Sequence, residues 1–142
     1  MKSVLISIRT KVVEKIIKGE KTIEVRKSRP KIETPFKCYI YCSYGNDREN
    51  YMLGTSGKVI GEFICDGITE YRYTKPWFYN GKKIYHLPID TINTRLSYDE
   101  IEQYLGNKDG YGWHISDLKI YDKPLLLSEL GVNYPPQSWR YI

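Results

Sequence analysis

The sequence is poor in the residues that build staples and metal sites. It has three cysteines, Cys38, Cys42 and Cys65, and two histidines, His86 and His114. An odd cysteine count without Cys-x-x-Cys spacing suits neither a disulfide framework nor a zinc site. The three read as small buried thiols, and no metal or cofactor is expected. Long apolar runs are missing too. Nothing approaches the roughly 20 apolar residues a membrane helix needs. The opening MKSVLISIRT carries one early lysine, is interrupted by Ser7 and Arg9, and leads to no small-residue cleavage site, so it does not read as a signal peptide. The expectation is a cytoplasmic chain with no membrane partner. There are no repeats, low-complexity tracts or linkers. The 142 residues read as one domain, 1–142, which buries roughly two-thirds of its unfolded surface without staples.

Positive charge is present, and it is unevenly placed. The net charge is +5, but residues 1–43 alone hold eleven Lys/Arg against four Asp/Glu. A basic first third beside a near-neutral remainder suggests a surface facing a polyanion, although many basic proteins bind no nucleic acid. Fourteen tyrosines serve strands and base stacking equally well.

The pattern along the chain is mainly β. Residues 3–8 predict a strand. Thr10 is placed to cap a helix over 11–18, with Val12, Val13, Ile16 and Ile17 as its apolar stripe and Gly19 as its stop. Residues 22–27 alternate, putting Ile23 and Val25 toward the core and Thr22, Glu24 and Arg26 on the other face. Strands follow at 37–43 and 58–65, separated by a long polar loop over 44–57. Gly61 in the latter strand marks a bulge or a close backbone approach. Asn80-Gly81 predicts a two-residue hairpin turn. Ser97 and Glu100 form a capping box for a helix ending at Leu105 and Gly106. Residues 110–112 read as a glycine turn before a strand over 113–121. Pro124 reads as the start of a short helix ended by Gly131, and Trp139 as the residue that pins the tail. The result is a strongly bent sheet or open barrel with helices at its ends.

The chemistry gathers in GEKTIEVRK, residues 19–27. Lys21 precedes the strand, and Glu24 and Arg26 share a face roughly 7 Å apart. Covered by other elements, the three would line a concavity with two cations and one carboxylate. Lysine and arginine suit phosphates. Glu24 could hold Arg26, accept from a base or a sugar hydroxyl, or act as a general base. The plainer reading is a surface ion pair on an edge strand.

The segment SIRTKVVEKIIKGEKTIEVRKSRPK, residues 7–31, resembles the ASCH family of the PUA-like superfamily. Gly19, Lys21, Glu24 and Arg26 fit each position of its Gly-x-Lys-x-x-Glu-x-Arg signature. Ser7-Ile8-Arg9, Tyr41-Cys42-Ser43, Val59 to Phe63, Tyr111 to Ile115 and Lys123-Pro124 extend the likeness over most of the chain; residues 66–96 have no clear counterpart. The resemblance implies a mainly-β α+β fold, a small PUA-like barrel with flanking helices and a cleft over the signature. The family is generally inferred to bind RNA, and some relatives are enzymes. In one amidohydrolase relative the signature lysine works with a threonine three residues later, where this chain has Glu24. That departure favours the binding branch, because a carboxylate is a poor substitute for a lysine-activated hydroxyl nucleophile.

The expected nucleic-acid-binding residues are thus Arg9, Lys21, Glu24, Arg26, Lys27, Ser43, Tyr44, Trp113 and His114. Trp113 and His114 are adjacent on a strand and so face opposite ways. The expected partner is RNA, a nucleotide or a nucleoside, with DNA and an acidic protein as further partners to test. The alternative is a metal-independent hydrolase of RNA or a modified nucleoside, with Lys21 and Glu24 as acid and base.

Overall fold

The computed structural model describes residues 2–44, 57–75, 77–84 and 90–142. Strand β1 (Val4–Arg9) runs into helix α1 (Thr10–Ile17), then β2 (Ile23–Arg26) and β3 (Phe36–Ser43). The long strand β4 (Lys58–Tyr71) precedes a hairpin, β5 (Trp77–Tyr79) and β6 (Lys82–Ile84). A short helix α2 (Thr91–Thr94), helix α3 (Tyr98–Leu105), the long strand β7 (Gly110–Leu125), a 3-10 turn (Leu127–Leu130) and β8 (Trp139–Tyr141) complete the order. Most of the predicted 44–57 loop and His86 lie outside the described residues.

Six strands form one sheet in the order β2-β7-β4-β3-β1-β8. Among the described residues only β1 and β3 pair in parallel, and α1 and β2 supply the long connection that a parallel pair needs. The sheet curls at β4, whose pairing with β7 shifts register three times; bulges of this kind increase twist and bend. Gly61 sits at one of them, where a Cβ would lie 2.4 Å from the Lys119 carbonyl oxygen. The result is the expected bent, mainly-β half-barrel with helices packed on it.

Its concave side holds the main core: Val4, Ile6 and Ile8 from β1, Cys38, Ile40 and Cys42 from β3, Phe63 and Cys65 from β4, and Trp113 from β7. All three cysteines are buried, as expected. A second cluster joins Val25, Tyr71, Ile101 and Leu105 beneath α3. Ile101 and Leu105 are one helical turn apart on the face that α3 turns inward.

Several local expectations need correction. Arg9, not Thr10, holds the N-cap position of α1 and makes no side-chain cap bond. The Thr10 hydroxyl instead reaches the Ser43 carbonyl, tying the helix start to β3. Residues 110–112 are strand, not turn. At Gly110 a Cβ would meet the Leu105 side chain at 2.6 Å, and at Gly112 it would meet the Tyr71 hydroxyl at 2.6 Å. These glycines serve close packing across a strand rather than reversal of the chain. Pro124 lies inside β7, and the helical turn begins only at Leu127. Residues 139–141 form a strand pairing with β1. The Asn80-Gly81 turn and the Ser97–Glu100 capping box are as expected: both turn residues have positive φ, 50° and 75°, and both reciprocal bonds of the box form.

Candidate functional site

The signature begins where α1 stops. Gly19 adopts φ 74°, and the chain is then stitched on three sides. The Lys21 amide donates to the Lys15 carbonyl, the Thr22 amide to the Asn93 carbonyl, and the Ile115 amide to the Thr22 carbonyl. This fixes the entry of β2 between α1, α2 and β7. The Lys21 side chain is only 3% exposed, and its ammonium donates to the carbonyl of Thr94. Thr94 is itself fully buried. It ends α2, whose start is capped by Asp90 accepting from the Ile92 and Asn93 amides. Burial pulls the Lys21 pKa down, and the nearby Glu24 carboxylate opposes that pull.

All four residues of β2 are buried, so neither of its faces is open surface. Glu24 lies opposite Trp113 in the antiparallel pair, and Val25 lies opposite Gly112. Directly paired residues share a face. Glu24 and Arg26 therefore face the concave main core, and Val25 faces the cluster under α3. The expected orientation is reversed with respect to the main core. The cause is the curl: β2 is an edge strand whose inner side closes over the opposite edge and whose outer side is roofed by α3.

Arg26 makes that closure. One guanidinium nitrogen donates to the Ser7 carbonyl of β1 at 2.7 Å. The other donates to the Ser138 hydroxyl, just before β8, at 3.1 Å. The two edges of the sheet are thus joined by a side chain rather than by a backbone ladder. Tryptophans continue the seam. The Trp139 indole donates to the Ser28 hydroxyl at 2.9 Å, and the Trp113 indole to the Ser28 carbonyl at 3.3 Å.

Glu24 stands between the two cations. Its Oε1 is 3.6 Å from Arg26 Nε. Its Oε2 is buried and finds no hydrogen-bond partner among the described residues. A buried carboxylate oxygen without a donor is costly, and a donor on a bound molecule would remove that cost. Tyr104 of α3 is the outer neighbour. Its hydroxyl pKa is raised by burial, with Arg26 and Glu24 as the charges it senses. The Lys27 ammonium sits over the Tyr104 ring, 5.1 Å from its centroid. The site therefore offers an inward acceptor flanked by two anchored cations, with an aromatic ring and an exposed lysine at its rim.

The structure brings Lys21, Glu24 and Arg26 together as expected, with Lys27 beside them. Arg9, Ser43 and Tyr44 gather at another place, the end of the β1–β3 pair, where Arg9 and Ser43 are register partners. Trp113 is a correction. It is fully buried and packed edge-on against Phe36 and Trp139 at 5.9 and 5.8 Å between centroids. No base can stack on it. His114 lies on the other face, as expected, with its Nε2 2.6 Å from the Thr69 hydroxyl. Tyr104, Thr94 and Ser138 were not anticipated. The inward positions Ile101 and Leu105 place Tyr104 on a flank of α3, but only the tertiary fold shows what that flank meets.

No protein-family model matches the chain, and no curated protein matches it in sequence. Solved structures do. The crystal structure of ASCH from Zymomonas mobilis aligns with a TM-score of 0.68 at 18% identity, covering 99% of this chain and 87% of that one. A point-substituted form of the same protein aligns at 0.69, also at 18% identity, covering 100% and 91%. The chain has the ASCH fold. Among the described residues no helix is long and apolar enough to cross a membrane.

Proposed function

We propose that the chain is an RNA-binding module of the cytosol that takes one nucleotide, free or within single-stranded RNA, at the β2–α3 site. The observation that carries this reading is Glu24 Oε2, a buried acceptor without a donor. Nucleobase N–H groups and ribose hydroxyls are donors of the required kind; the phosphodiester of an RNA backbone has none. Lys21 and Arg26 are themselves anchored by bonds to Thr94, Ser7 and Ser138, and the Arg26 Nε lies 3.6 Å from the carboxylate. The Tyr104 ring is the neighbouring stacking surface, and exposed Lys27 beside it answers to a phosphate.

The test is anisotropy of a labelled 12-nucleotide single-stranded RNA at two salt concentrations, with unlabelled mononucleotides as competitors. Glu24→Gln keeps the shape and changes the acceptor. It is expected to weaken mononucleotide competition about tenfold or more, the scale of a hydrogen bond to a charged group, measured at a temperature where a melting curve shows the variant still folded, because the substitution also removes the carboxylate beside Arg26. Equal competition against wild type and Glu24→Gln would remove Glu24 from the site. No binding of either ligand to wild type would leave an acidic protein as the partner to pursue.

A second reading has one observation in its favour. A buried lysine with a lowered pKa beside a carboxylate is a usable acid–base pair. A hydrolase of RNA or a modified nucleoside would then show metal-independent turnover that Glu24→Gln abolishes while binding persists.

A further inference from the structure

Tyr104 is 40% exposed, yet one face of its ring is already in use. The Lys27 ammonium rests over it, 5.1 Å from the centroid. The fold brings the two together. Ile101 and Leu105 turn inward, so Glu100 and Tyr104, one turn apart, share a flank of α3. Lys21 feels the charge of Glu100 at one end of that flank. Lys27, which directly follows β2, meets Tyr104 at the other. The helix therefore lies along β2, and the Tyr104 hydroxyl feels the charges of Arg26 and Glu24.

The cations of this site differ in their commitments. Lys21 and Arg26 are buried and bonded to Thr94, Ser7 and Ser138. Lys27 is exposed and stands on a ring that a base would also take. An exposed cation–π contact is worth less than a base stacked on the same ring, so a base displaces the ammonium. That displacement has a cost, and the ligand decides what offsets it. A nucleoside leaves the ammonium to water. A nucleotide brings a phosphate, which an ammonium binds as a point charge.

We infer that Lys27 is a plug that selects phosphorylated ligands: it covers the Tyr104 ring, and only a nucleotide, free or within a strand, both takes that ring and rebinds the ammonium. This rests on the nucleotide reading above and is separable from it. The ribonucleosides and their 5′-monophosphates are compared as competitors of the labelled 12-nucleotide RNA, corrected for each variant's own RNA affinity, and the pair that competes best is followed. Lys27→Gln is expected to tighten nucleoside binding about two- to fivefold, the factor that an exposed cation–π contact represents. The preference for the monophosphate over its nucleoside should fall about two- to fivefold, the worth of an exposed ion pair. The nucleoside gain should vanish in a Tyr104→Leu background, where there is no ring to uncover. Lys15→Gln removes the same charge at the Lys21 end, where Lys15 is exposed and felt by Lys21, and should not tighten nucleosides. Unchanged or weaker nucleoside binding by Lys27→Gln, or a gain that persists without the Tyr104 ring, overturns the plug; the Glu24 reading then stands if Glu24→Gln still weakens competition. A Tyr104-dependent gain in a protein indifferent to Glu24→Gln upholds the plug and removes Glu24. Wild type that binds neither nucleosides nor monophosphates overturns both.

Discussion

Arg26 invites a stability experiment before any binding experiment. Replacing it with alanine removes a charge-assisted bond to the Ser7 carbonyl at 2.7 Å and another to the Ser138 hydroxyl at 3.1 Å. It also leaves the Glu24 carboxylate, 8% exposed, without its nearest guanidinium. Each bond from a charged donor contributes about 1.5–3 kcal/mol. Breaking a buried ion pair from one side costs about 3–5 kcal/mol. These overlap rather than add, since they share one side chain. The expected loss is about 3–5 kcal/mol, a large share of the roughly 5–15 kcal/mol that holds a domain folded. Arg26→Lys keeps the charge, but one ammonium does not span both acceptors, so a loss of about 1.5–3 kcal/mol remains. Urea unfolding followed by tryptophan emission measures both, because Trp113 and Trp139 sit on the same seam. A loss below about 1 kcal/mol for Arg26→Ala, the worth of an exposed ion pair, would refute the closure argument. A harmless Arg26→Lys beside a damaging Arg26→Ala would show that charge alone suffices. The same reasoning disqualifies Arg26→Ala as a simple binding probe.

The remaining predictions concern packing and protonation. Gly112→Ala drives a methyl against the Tyr71 hydroxyl and Ile23, at 2.6 and 2.9 Å, and should cost about 1–3 kcal/mol by urea unfolding; a neutral result would mean that β7 can shift. Tyr71→Phe deletes a buried hydroxyl with no partner among the described residues, so it should be neutral or stabilising by about 1 kcal/mol and should ease Gly112→Ala in the double variant. Lys21 has its pKa lowered from 10.5 by burial, so between the lowered value and 10.5 the unfolded chain binds more protons than the folded one. Stability should therefore rise with pH across that window relative to Lys21→Met, and parallel pH profiles for the two proteins would contradict it.

Local chemistry was the legible part. The Gly19 stop, the Asn80-Gly81 turn and the Ser97 capping box are written in neighbouring residues, and each holds in the fold. The signature also led to three side chains that converge. What the sequence could not show is which side of β2 would be buried. Alternation of Ile23, Glu24, Val25 and Arg26 distinguishes two faces, but polarity does not say which face closes on the main core when the strand lies at the edge of a curled sheet. Gly110 and Gly112 misled for a related reason. Their role comes from Leu105 at the end of α3 and Tyr71 on β4, and a glycine demanded by a packed neighbour looks the same as one demanded by a turn. Trp113, read as a stacking residue, became the centre of the core.

The seam also sets a schedule for synthesis. Arg26 emerges early, but its acceptor at Ser138 and the strand that carries Trp139 come more than a hundred residues later. Contacts of such long range are slow to form, because the loop must close before the bonds reward it. Until residues 138–141 have left the ribosome, β1 stays an open parallel-paired edge and Arg26 lacks one of its two anchors. A nascent chain stalled before that point carries Lys21, Glu24 and Arg26 without the seam that closes over them, so the site takes its final form only once translation has passed residue 141.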